Sequence, residues 1–314
     1  LTLHNIKKVK YIKLGNKGVW EKLCIEDGTI RLDYCEVPHE LGMNNDKEGI
    51  KQLFFNLGID RGAASNHARQ VIDFYNSDEN TLWIMFSNGY LWWAKSKGDV
   101  EFLGNDKGTY KDGSRLLKTI NGWSNKSLKG DVLNSTDISG LVTKSVGYQG
   151  TICDIKGDAF NYVLNKINGE EIPEVLKAKQ ARAQMLEATI GLIKKLTWQD
   201  FELFVDLLFS HSGWRRVSSL GATQKTIDIE LELPITGERA IVQIKSQTDQ
   251  KQLDEYIERL TEFDADKYFY VYHTEKTKKP LNSENSDIEL VNVDKLAEMT
   301  FQSGLVDWLI KKVG

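Results

Sequence analysis

The spacing of apolar residues changes period along the chain, and each change marks a new element. Residues 46 to 57 and 61 to 76 carry apolar side chains at helical spacing, as in Ile50, Leu53, Phe54 and Leu57. "VWEKLCIEDGTIRLDY" and "TLWIMFSNGYLWWA" alternate instead, around Asp27-Gly28 and Asn88-Gly89. Both dipeptides accept positive φ, so the pattern predicts two hairpins. Near residue 170 the stretch "NKINGEEIP" gathers an Asn-Gly pair, two acids and a Pro, and a helical pattern starts after it. A helix is expected from Glu174 to Lys195, and a second is capped by Thr197 with Asp200 three residues on. That second helix buries Phe201, Phe204, Val205 and Leu208. Strands follow at 226 to 233 and 239 to 245, then a helix through Leu253, Tyr256, Ile257 and Leu260, then the strands "KYFYVYHT" and "IELVNV". A helix over 294 to 312 closes the order.

This order predicts an α+β N-terminal domain over residues 1 to 168, built on a curved sheet or small barrel. An α/β domain with a mixed central sheet is expected over 174 to 314. A chain of 314 residues fits two domains.

Composition narrows the function. Apolar residues make up 40% of the chain and there are eight Trp, enough for two cores. No run of eighteen apolar residues exists, so no membrane span is expected, and no signal peptide is visible. Cys24, Cys35 and Cys153 are widely spaced with no CxxC, which suits a reducing cytoplasm rather than a zinc ribbon or disulfide scaffold. The net charge is −4, with the acid excess in the C-terminal half. A polyanion must therefore be met by local contacts, by the other half or by a partner. No GxxxxGK[ST], HExxH or GxSxG occurs, so this chain holds no P-loop motor, and a separate motor subunit is not indicated. His211 and His273 lack ligand-spaced partners and receive no role.

The stretch "TIDIELELPITGERAIVQIKSQ", residues 226 to 247, carries the chemistry. Ile227, Ile229, Leu231 and Leu233 share one face of a strand, and Asp228, Glu230 and Glu232 the other. In the next strand Gln243 and Lys245 project together. A turn at "PITGE" lets one Asp, one Gln and one Lys converge on one face. A hard carboxylate with amide and carbonyl oxygens suits Mg²⁺, and a nearby Lys can orient water or stabilise phosphoryl charge. A solvated hairpin face is the bland alternative, and Glu230 and Glu232 favour it.

From 197 to 275 the sequence resembles the Mrr-like branch of the PD-(D/E)xK restriction endonuclease superfamily. The matching features are Phe201-Glu202 on a helix, Gly213-Trp214 at its end, Ile227-Asp228 on a strand, and Val242-Gln243-Ile244-Lys245 on the next. The resemblance implies Asp228 as principal metal ligand, Gln243 where most of the superfamily has Glu, and the Ile244 backbone carbonyl as a further ligand. It implies that Lys245 orients or activates the attacking water. Glu202 would contact the metal through water or position Lys245. The loop before Asp228, "GATQKT", departs from the Gly-rich acidic loop of related sequences, which bears on metal stoichiometry.

In the N-terminal half, residues 104 to 130 hold Lys107, Lys111, Arg115, Lys118, Lys126 and Lys129 against Asp106 and Asp112. A flexible loop following a DNA backbone is expected there, with Tyr110 and Trp123 for stacking. A plain solvated loop is the alternative. Trp92 and Trp93 fall on opposite faces of one strand and, with Trp20 or Trp83, can wall a slot for a flipped or modified base. Core packing is the commoner use of such Trp. The domain faintly resembles PUA, EVE and YTH base-reading domains.

The leading expectation is a restriction or phage-defence endodeoxyribonuclease using Mg²⁺, with Mn²⁺ as a substitute. Its partner is DNA, modified or not, and a homodimer is expected because two sites are needed to cut two strands. The rivals are a nuclease effector switched on by a small ligand in the N-terminal domain, and a non-catalytic DNA-binding module that keeps the nuclease fold.

Overall fold

The computed structural model describes Leu3 and residues 5–104, 113–217, 228–260, 263–277 and 279–314. The chain divides into two compact units, Leu1–Ile172 and Pro173–Gly314.

The N-terminal unit is α+β. Its strands are β1 (Lys8–Ile12), β2 (Thr29–Leu32), β3 (Thr81–Ser87), β4 (Tyr90–Phe102), β5 (Arg115–Ser124) and β6 (Ile152–Ile155). They form one sheet in the order β2-β5-β4-β3-β1-β6, which ends on two edges rather than closing into a barrel. Irregularities between β4 and β5, at Trp93/Lys95 and Ser96/Val100, interrupt the ladder, and such irregularities bend and twist a sheet. The helices are α1 (Glu21–Asp27), α2 (His39–Met43), α3 (Lys47–Asn56), α4 (Arg61–Tyr75), α5 (Gly140–Thr143) and α6 (Asp158–Asn168). Asp46 and Asp60 cap α3 and α4 by accepting first-turn amide protons, so both helices start where the apolar spacing begins.

The β3–β4 hairpin forms as expected. Ser87 pairs with Tyr90, and Asn88 (φ 50°) and Gly89 (φ 83°) make the two-residue turn. The other expected hairpin does not form. Residues 21 to 27 are helix α1, and Gly28 (φ 65°) is its left-handed cap before β2. An Asp-Gly pair serves a hairpin turn and a helix stop equally well, because both need one residue at positive φ.

The C-terminal unit begins with α7 (Pro173–Ile193) and α8 (Trp198–His211). Its strands are β7 (Arg215–Arg216), β8 (Ile229–Leu233), β9 (Glu238–Thr248), β10 (Lys267–Glu275) and β11 (Ile288–Val291), in the order β11-β10-β9-β8-β7. Strands β9, β10 and β11 run parallel and β7, β8 and β9 antiparallel, so the sheet is mixed as expected. Between them lies α9 (Gln250–Arg259), and α10 (Val293–Ser303) and α11 (Val306–Val313) close the unit. The single closing helix expected over 294 to 312 is thus two, parted by Gly304 at φ 73°. One face of the sheet packs Ile229, Leu231, Val242, Ile244 and Val271 against Phe201, Phe204, Val205, Leu208 and Leu296. The other face packs Tyr270 and Tyr272 against Leu253, Tyr256 and Leu260. Among the described residues no helix is long and apolar enough to cross a membrane.

Candidate active site

The site forms where β8 enters the sheet beside β9. The antiparallel register pairs Ile229 with Val242, so Asp228 stands opposite Gln243. Alternation along β9 sends Val242 and Ile244 into the core and leaves Gln243 and Lys245 on the opposite face. Asp228 Oδ2 accepts a hydrogen bond from the Ile244 amide at 2.6 Å and another from Gln243 Nε2. Gln243 is buried, and Asp228 and Lys245 are half-buried. Burial raises the Asp228 carboxyl above its ordinary range, while the Ile244 amide, Lys245 and Gln243 pull it partway back.

Glu202 joins this group from α8. The Thr197 side chain accepts the Asp200 amide and fixes the helix start, and Phe201, Phe204 and Val205 turn one stripe into the core. Glu202 is left half-buried at the margin of that stripe. Burial raises its carboxyl and the Asp228 carboxylate raises it further, while Arg216 and Lys245 pull it down. Glu202, Asp228 and Lys245 therefore feel one another's charge.

Two further residues went unnoticed in the sequence. Arg216 on β7 lies 3.7 Å from Asp206 and acts on Glu202. Its only sequence signal is an Arg pair directly after Gly213-Trp214. Tyr256 on α9 is 5% exposed and packs its ring, tilted by 44°, against Tyr270 at 5.4 Å, and its hydroxyl has no hydrogen-bond partner among the described residues. Burial and the Asp228 carboxylate hold that hydroxyl well above the ordinary tyrosine range. His273 lies on the core side against Phe201, and exposed His211 bonds the Leu207 carbonyl, so neither joins the group.

Among the described residues no three His, Cys, Asp or Glu side chains are arranged to hold a metal ion. The donors that converge are of a different kind. They are Asp228, the Gln243 amide and the backbone of Ile244, a hard-oxygen set of the sort Mg²⁺ takes. Among the described residues both hydrogen bonds to Asp228 fall on Oδ2, so Oδ1 is the oxygen a cation would take. Gln243 presents its nitrogen to Asp228, and the same amide turned over presents its oxygen. The residues present fit a hard divalent cation.

The expected N-terminal contacts fare differently. Lys107, Tyr110 and Lys111 lie outside the described residues. Residues 115 to 124, expected in a flexible loop, form β5 between β2 and β4. Arg115 is fully buried and cannot follow a DNA backbone. It donates to the carbonyls of Tyr34 (2.8 Å) and Val37 (2.9 Å) and lies over the rings of Tyr75 and Phe102. Trp123 is buried with its indole N–H on the Thr29 carbonyl, and Trp83 is buried with its N–H on Ser77 Oγ. Neither is available for stacking or for a slot. Both belong to one core cluster, against which Trp20 and Trp92 also pack. Trp93 packs on the opposite face and donates to the Lys126 carbonyl. Lys118 and Lys126 are exposed, and Lys118 pairs with Glu101. The bright aromatic count of this half thus reflects cores on both faces of the sheet.

Residues 193–300 match the Mrr_cat family model, described as a restriction endonuclease. Among solved structures, the DNA modification-dependent restriction endonuclease AspBHI is similar over 74% of this chain and 68% of its own, with 12% identity and a TM-score of 0.27. That likeness is too slight to carry residues or ligands across. No curated protein matches.

Proposed function

We propose that this chain, whose C-terminal unit carries an Mrr_cat restriction-endonuclease domain, is a Mg²⁺-dependent endonuclease that hydrolyses DNA phosphodiester bonds. The observation that supports this most is the convergence of Asp228, Gln243 and Lys245 across β8 and β9, with Glu202 brought up from α8. Asp228, the Gln243 amide oxygen and the Ile244 carbonyl would hold the cation, with Glu202 reaching it through water. When bound, Mg²⁺ supplies a Lewis acid for a phosphoryl oxygen and makes a coordinated water easier to deprotonate.

The protein's own groups do the rest. The Ile244 amide fixes Asp228 in orientation, so its second oxygen is presented at no further entropic cost. Lys245, fixed two residues beyond Gln243 on the same face, donates to the attacking water or to the charge gathering on the phosphoryl oxygens. Glu202 feels the charges of both Asp228 and Lys245, and its part would be to hold a water for either. Double-strand cutting needs two such sites, hence two copies on the DNA.

The test is cleavage of unmodified, methylated and hydroxymethylated DNA with Mg²⁺ or EDTA, with Lys245→Ala beside the wild type. Cutting is expected only with Mg²⁺, and the variant should lose about 10²–10⁴-fold in rate while still binding DNA. No cutting on any DNA, or full cutting by Lys245→Ala, refutes the reading.

A further inference from the structure

The first strand carries an unusual load of charge. "KKVKYIK", residues 7 to 13, holds four lysines and no acid. Alternation sends Val9 and Tyr11 into one core of the N-terminal unit and turns Lys8 and Lys10 to the other face. Lys10 is only 4% exposed, and a lone cation buried to that degree is expensive. It is met by Asp154 at 2.6 Å, its cross-strand partner on β6, and by Asp73 of α4 at 3.2 Å. Neither carboxylate is left over for anything else. Arg69 takes Asp73 at 2.6 Å, and Lys156 takes Asp154 at 2.9 Å.

Three cations thus share two carboxylates. Lys7 and Lys8, both exposed, add two more charges and have no ion pair among the described residues. A cleft of about 460 Å³ opens among Lys7, Lys8, Lys10, Lys156 and the two aspartates, with the ring of Phe160 on its wall. With Arg69, and with Asp78 facing Lys8, five cations stand against three carboxylates in a chain whose net charge is −4. A local surplus of this kind draws a polyanion to one place on an otherwise acidic molecule. The volume lies in the range of small-ligand sites, and Phe160 gives an apolar surface for a sugar or base.

We infer that this cleft is a phosphate-binding site of the N-terminal unit, taking one nucleotide unit with Lys7, Lys8 and Lys156 on its phosphate. The phosphate comes from a DNA strand or from a free nucleotide, and only the choice of DNA rests on the nuclease reading above.

The experiment uses the full chain in EDTA, where binding is read without cutting. Lys7→Gln with Lys8→Gln is compared with the wild type by anisotropy of a labelled 30-base-pair duplex over a salt series. Both are also titrated with inorganic phosphate and with ATP. Loss of two phosphate contacts should lower DNA affinity about 10–100-fold at 0.1 M salt and reduce the log–log salt slope by about 1.8. Weakened ATP and phosphate binding with unchanged DNA binding assigns the cleft to a free nucleotide. Lys156→Gln, made alone, should show roughly half the slope change and serves if the double variant folds poorly. Unchanged affinities for DNA, phosphate and ATP in both variants overturn the inference. A chain that cuts DNA with these affinities unchanged loses only the cleft. One that binds through the cleft and never cuts loses only the nuclease.

Discussion

Gln243→Glu tests the geometry around Asp228 directly. The Gln243 amide donates to Asp228 Oδ2 at a position only 7% exposed. The substitution removes that donor and sets a second carboxylate against the first. A hydrogen bond to a charged group is worth about 1.5–3 kcal/mol, and two like charges 4 Å apart at an effective dielectric of 20 repel by about 4 kcal/mol. The pair escapes part of this by sharing a proton. Holding a proton on a glutamate of ordinary pKa, about 4.3, costs roughly 4 kcal/mol at pH 7 and roughly 1 kcal/mol at pH 5. In EDTA the variant should therefore lose about 2–4 kcal/mol of stability at pH 7 and about 1 kcal/mol at pH 5. The sign follows from linkage: the shared proton raises a carboxyl pKa in the folded state, so stability is present at low pH and lost as pH rises through that value. Millimolar Mg²⁺ should restore more stability to the variant than to the wild type, since a cation replaces the missing proton. Urea denaturation at both pH values, with EDTA or Mg²⁺, measures all four quantities. Equal stability of variant and wild type at pH 7 in EDTA refutes the contact between these two side chains.

Three further outcomes follow from the same structure. Asp228→Asn should abolish cutting yet leave the EDTA form at least as stable as wild type at pH 7. Burial raises the Asp228 carboxyl, so its stabilising protonated form is lost as pH rises, and urea midpoints at pH 4.5 and 7 should show a smaller loss in the variant, which keeps only the burial of Glu202, than in wild type. Arg115→Ala leaves the Tyr34 and Val37 carbonyls without their donor and opens a cavity between two rings, so about 3–5 kcal/mol should be lost in urea denaturation. Tyr256→Phe removes a buried hydroxyl that has no hydrogen-bond partner among the described residues, and stability in urea should be unchanged or raised, by up to about 1–3 kcal/mol.

Much of the site was legible in the sequence because it depends on local period. Strict alternation in "TIDIE" and "IVQIK" already puts Asp228, Gln243 and Lys245 on the non-core faces of their strands. The Thr197 cap was readable for the same reason: a cap is a contact over three residues. Glu202 needed more. Its place on α8 was evident, but its electrostatic coupling to Asp228 depends on how α8 crosses the sheet.

What only the tertiary structure decided lies mainly in the N-terminal half. By local rules "GSRLLKTINGWS" is a polar, Gly-bearing stretch, and a loop is a fair reading of it. It becomes an interior strand because β2 and β4 pair with it from both sides, and β2 is more than eighty residues away in the chain. That closure buries Arg115 and Trp123. Lys10 has the same history: a lysine among apolar residues reads as surface charge until Asp73 and Asp154 arrive from α4 and β6. Sequence period reports which side of a strand or helix is apolar. Whether a cation ends in water or in the interior depends on carboxylates and carbonyls delivered by distant segments, and the chain must fold to bring them there.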